Sequence, residues 1–139
     1  MTWLTWSLLS AVFAAATALL AKLGVQNVDA NLATAVRTTV VVLFTWLIAF
    51  TAGHPSSVRT FSGKTWTFLI LSGFATGLSW LCYFQALQAG PVSRVAPIDK
   101  LSVVLVILFS AMFLGESLTW SRAAGGLLIA AGATLIALE

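Results

Sequence analysis

The chain has 139 residues, of which 60% are apolar and only 8% are Asp, Glu, Lys or Arg. An average soluble domain is about half apolar and about a quarter charged, so composition excludes a soluble globular domain and a disordered chain alike. Seven Lys and Arg against four acids give a net charge of +3, but the basic residues are scattered singly rather than gathered on one face, which excludes a nucleic-acid binder. What remains is one integral membrane domain over residues 1–139.

Five apolar runs follow one another, predicting helices over about 3–23, 32–52, 65–89, 92–115 and 119–138. The first, Trp3 to Ala21, carries no charge and is long enough for a ~30 Å hydrocarbon core at ~1.5 Å per residue. Lys22 closes it, and Gly24, Asn27, Asp29 and Asn31 form a polar turn. The competing reading is a signal peptide, with Ala14-Ala15-Ala16 as a cleavage site. No Lys or Arg precedes the run, and it is longer than a typical signal core.

The second run carries Arg37 in its first turns and is broken by Gly53, His54 and Pro55. His54 is read as a plain loop residue. The third is uncharged from Thr65 to Ser93 and ends at Gly90-Pro91, more than a span needs, which implies tilt or an interfacial end. Cys82 lies within it, is the only cysteine and is read as packing, so no intramolecular disulfide forms. The fourth is the odd one. Its uncharged part, Leu101 to Gly115, is too short alone, so a span must draw in Pro97, Asp99 and Lys100. The fifth, Ala123 to Leu138, is rich in Gly and Ala, and Glu116 before it is expected to cap its first turn. No soluble domain or linker is left over, and an odd helix count puts the termini on opposite sides.

The positive-inside rule has little to act on. Arg59, Lys64 and Arg122 lie on the N-terminal side, and Lys22 and Arg94, with Arg37 and Lys100 if these snorkel, on the other. Either an unseen factor fixes one orientation, or the chain inserts both ways and pairs antiparallel with itself. Small residues at GxxxG-like spacing support close helix contacts in lipid. Gly73 and Gly77 are assigned to packing within one chain. On the last run Gly125, Gly126, Ala130 and Gly132 are assigned to a dimer contact.

The stretch from Ala86 to Leu138 resembles the C-terminal half of an EamA repeat of the drug/metabolite transporter superfamily. The resemblance centres on Ala89-Gly90-Pro91, Pro97 followed by Lys100-Leu101-Ser102, and Leu114-Gly115-Glu116; the end of the first run, Ala21-Lys22-Leu23-Gly24, is similar too. It implies an all-α fold of five transmembrane helices, one unfused repeat where full-length relatives carry two, and export of metabolites across the inner membrane. The related small multidrug exporters carry a glutamate about two turns before the terminal lysine of their first helix. Here that place is near Ala14, and no acid lies from Met1 to Val28.

Residues for a cavity are few. Lys100, Asp99 and Pro97 come first: a charge in hydrocarbon costs on the order of 2.5–3.5 kcal/mol, so it normally faces a cavity or a partner. Pro97 removes a backbone donor, and a broken helix beside charges suits a polar pathway. The competing reading places residues 91–99 in the headgroup region. Arg37 is expected either to pair with Asp99 or to snorkel. Trp80, Tyr83 and Gln85 offer an aromatic and polar stretch for organic solutes. Trp3, Trp6, Trp46, Trp66 and Trp120 lie near run ends as interface anchors. One His, one Cys and four separated acids make no catalytic or metal constellation, so neither an enzyme nor a cofactor is expected. The expected function is transport of a small polar or amphipathic metabolite by a homodimer, anionic or zwitterionic if Lys100 and Arg37 line the cavity. The alternatives are a non-transporting membrane subunit and a proton-coupled multidrug exporter, which would need Asp99 to titrate.

Overall fold

The computed structural model describes residues 2–53 and 55–138; His54, read above as a loop residue, lies outside them. Six α-helices run in order: α1 (Trp3–Gly24), α2 (Ala30–Thr51), α3 (Gly63–Ala89), α4 (Val92–Asp99), α5 (Ser102–Phe113) and α6 (Trp120–Ala137), with a short 3-10 helix at Pro55–Thr60 between α2 and α3. No strand occurs among the described residues. Because α4 and α5 are two halves of one stretch, Val92–Phe113, five helical segments are long and apolar enough to cross a membrane.

Local chemistry sets the helix ends. α2 starts at Ala30 because the Asp29 carboxylate accepts from Leu32 N at 2.9 Å, a standard N-cap. α5 ends at Phe113, not Gly115: Gly115 takes φ +69°, a left-handed conformation open to glycine, and turns the chain back. α6 is capped by Thr119, whose hydroxyl accepts from Arg122 N at 3.3 Å. This corrects the assignment of the cap to Glu116, which instead pairs with Arg122 at 3.6 Å.

Six threonines in the spans satisfy their hydroxyls within their own helices. An unpartnered hydroxyl in hydrocarbon costs several kcal/mol. Thr34, Thr38, Thr39, Thr45, Thr76 and Thr134 donate to carbonyls one turn earlier in their own helices, at 2.7–3.0 Å. Large apolar side chains face outward along every span, Phe13, Phe44 and Phe74 among them, as expected where lipid is the solvent.

The chain forms two compact units, Met1–Lys22 with Ala89–Glu139, and Leu23–Gln88. In the first, α6 packs on α4 and α5. Gly126 is buried there, and a Cβ at that position would meet Ile107 Cδ1 at 3.5 Å. Ala133, two turns on, is buried on the same helix. Lys22 Nζ donates to Gly90 O at 2.8 Å, joining the end of α1 to the Gly90-Pro91 turn. In the second unit Val25, Ala30, Phe84 and Leu87 form the buried core. Gln88 Nε2 donates to the carbonyls of Val25, at 3.1 Å, and Val28, clamping the turn that precedes α2.

The glycines divide differently from the expectation. Gly73 and Gly77, assigned to packing within the chain, have nothing within 4 Å of a Cβ at either position. They line an open apolar groove with Ile70, Phe74, Leu78 and Leu81. Gly126, assigned to a dimer contact, has Ile107 of its own chain beside it, while a Cβ at Gly125 or Gly132 would meet nothing within 4 Å and Ala130 is half-buried. The sequence spacing marks where backbones can approach but not which surface approaches. Gly126→Ala should cost under about 1 kcal/mol, since 3.5 Å is ordinary contact, whereas Gly126→Leu should cost about 1–3 kcal/mol by overpacking against Ile107. Denaturant unfolding in detergent, with Gly125→Leu as the open-surface control, measures both; equal costs for the two leucine variants would remove the Ile107 contact as the cause.

Candidate functional site

Two polar sites sit on membrane-spanning segments, one in each unit. The first is built on α2 and α3. Arg37 is the eighth residue of α2, about 10 Å along the axis from its start. Its guanidinium carbon lies 4.1 Å from the centre of the Trp80 ring and 5.6 Å from that of Phe84. Trp80 and Phe84 are four apart on α3, so both point to one side. Phe84 is buried, and Arg37, Trp80 and Tyr83 are half-buried.

Magnitudes show what this arrangement needs. A cation in hydrocarbon costs at least about 2.5–3.5 kcal/mol, and a desolvated cation–π contact returns about 2 kcal/mol. Arg37 forms no ion pair among the described residues; Asp99, its expected partner, is paired with Lys100. The charge is therefore only partly compensated. A guanidinium has five N–H donors in a planar fork suited to a carboxylate or phosphate. The arrangement sets such donors beside an aromatic wall.

The second site is the break between α4 and α5. Asp99 Oδ2 and Lys100 Nζ are 2.9 Å apart, with side chains 35% and 56% exposed. The backbone tightens here: Lys100 N donates to Pro97 O, Leu101 N to Ile98 O, Val103 N to Lys100 O and Val104 N to Leu101 O, all three residues back and 3.0–3.1 Å long. An α-helix would bond four back. Pro97 lies within α4, and the run of short-range bonds begins at its carbonyl. An ion pair thus sits at a narrowed helix break inside one candidate span.

Trp80 and Arg37 are brought together as a pair. Gln85 is exposed, roughly 140° round the helix from Trp80 at ~100° per residue. The sequence reading missed Phe84 and Gln88. The signal was present: 80, 84 and 88 form one stripe at a spacing of four. Gln88's target, a pair of turn carbonyls, has no signature in sequence. A double-mutant cycle of Arg37→Met and Trp80→Leu should return a coupling of about 0.5–2 kcal/mol in unfolding stability; a coupling near zero would mean that the two side chains only lie side by side.

The model of the EamA-like transporter family matches residues 1–138. The chain is 48% identical over 135 residues to an uncharacterized transporter in the cobO 3' region of a Sinorhizobium species, covering 97% of this chain and 96% of that one. It is 36% identical over 84 residues to the uncharacterized transporter YvbV of Bacillus subtilis strain 168, covering 56% of this chain and 28% of that protein. No solved structure matches significantly. With a family match over nearly its full length and five apolar helices to cross the bilayer, the chain is a multi-pass membrane protein that belongs to the EamA-like transporter family.

Proposed function

We propose that this protein exports a small polar or amphipathic metabolite carrying an anionic group, alone or as part of a zwitterion, by alternating access across the inner membrane. Residues 1–139 act as one transmembrane domain, a single repeat that pairs with a second copy, most simply antiparallel. The observation that carries the solute class is the guanidinium of Arg37, stacked on Trp80 without an ion-pair partner among the described residues. An incoming carboxylate or phosphate would supply the missing countercharge, and Trp80 and Phe84 would cover its organic part. The break at Pro97–Leu101 supports a moving element, because a helix with two half-length pieces bends there more cheaply than a continuous one.

The near balance of basic residues on the two sides supports insertion in both orientations. An inverted pair would supply the two-fold relation that longer transporters obtain from internal repeats. The multidrug-exporter alternative has less support. It needs a carboxylate available to protons and cations, and Asp99, its candidate, is engaged with Lys100. The non-transporting alternative gives no role to an Arg37 that is only partly compensated.

The test is efflux from proteoliposomes loaded with a mixture of organic acids, amino acids and organic cations, read by mass spectrometry. Anionic or zwitterionic species should leave selectively. Arg37→Met should reduce their efflux about tenfold or more, with helix content and insertion unchanged, since a charge-assisted bidentate pair is worth at least that factor. Selective loss of cations, or no efflux of any class, would overturn the proposal. Reporters fused to the C-terminus should give comparable signal on both membrane faces; signal on one face would remove the antiparallel pair.

A further inference from the structure

The α5–α6 connection carries a third polar site, distinct from Arg37 and from the helix break. α5 ends one candidate span and α6 begins the next, so the loop 114–119 between them sits at the membrane surface. Exposed Trp120 at the start of α6 fits that depth. Gly115, at φ +69°, folds the loop back so that Glu116 N donates to Ser110 O at 3.2 Å, alongside Leu114 N at 3.0 Å. This leaves a cavity of about 320 Å³. Val106, Ile107, Ala111 and Leu114 make its apolar part, and Glu116 and Arg122 its charged end.

The charged end is open to exchange. Arg122 Nη1 donates to Ser117 O at 2.7 Å, which ties the guanidinium to the loop. The same nitrogen is 3.6 Å from Glu116 Oε2, an ion pair too long for a hydrogen bond. Both contacts use one nitrogen of a group with five donors. A cavity with an acyl-sized apolar wall at one end and adjacent, loosely joined opposite charges at the other matches an amphipath whose own charges are adjacent and opposite.

We infer that this pocket binds one phospholipid of the aminoethanol type: phosphate on Arg122, primary ammonium on Glu116, and the head of one acyl chain along α5. A bilayer presents lipid headgroups at this depth. A primary ammonium can donate to the Glu116 carboxylate, whereas a trimethylated one cannot, and an anionic headgroup would leave Glu116 facing negative charge.

Native mass spectrometry of the detergent-solubilised protein, titrated with phosphatidylethanolamine and phosphatidylcholine of matched acyl chains, tests this without any variant. Phosphatidylethanolamine should be retained about tenfold more tightly, the factor expected for one charge-assisted hydrogen bond. Glu116→Gln should bring the two lipids within about twofold, and Ala111→Trp, which fills the apolar part, should reduce both. Equal retention in the unaltered protein, or a preference unchanged in Glu116→Gln, would overturn the inference. So would displacement of the lipid by soluble phosphoethanolamine at equal concentration, which would make the pocket a solute site. The transport reading stands or falls separately, since neither Glu116 nor Arg122 belongs to the sites on which it rests.

Discussion

Hydrocarbon offers no hydrogen-bond partner and almost no solvation for charge, and that constraint accounts for most of this structure. Backbone groups are satisfied by helices because nothing else in the span can satisfy them. Threonine hydroxyls fold back onto carbonyls of their own helices. Cations inside the spans are the exceptions, and two of them have specific arrangements. Arg37 lies on an indole face, and Lys100 sits beside a carboxylate at a helix break.

These two arrangements differ in what they leave undone. Asp99 and Lys100 compensate each other, so that pair is neutral as a unit and needs no ligand to be tolerated. Arg37 is offset only by quadrupoles and keeps its net charge. A site that is incomplete in this sense is where a charged solute gains most by binding.

Small residues show how a single motif divides by context. In lipid, association rests on close van der Waals approach, so Gly and Ala are useful wherever two helices meet. Gly126 meets Ile107 inside the chain. Gly73 and Gly77, at the same kind of spacing, open onto an apolar groove. Nothing local distinguishes the two helices. The difference comes from which face α5 covers, and that depends on the whole path of the chain.

The number and approximate extent of the membrane segments, the weakness of the fourth, and the family were legible from the amino-acid sequence. The segments follow from composition and from apolar lengths set against a fixed bilayer thickness, which acts on each segment alone; the family follows from the motifs around Gly90-Pro91, Pro97 and Gly115-Glu116. Arg37, Asp99, Lys100 and Trp80 could also be singled out, because a charge or a large aromatic in an apolar run stands out without any neighbour. Partners were not legible. Asp99 went to the adjacent Lys100, Arg37 to Trp80 and Phe84, Glu116 to Arg122 rather than to a helix cap, and Gln88 to the carbonyls of a distant turn. Periodicity says which residues share a face of one helix; only the packing of helices on one another decides what that face meets.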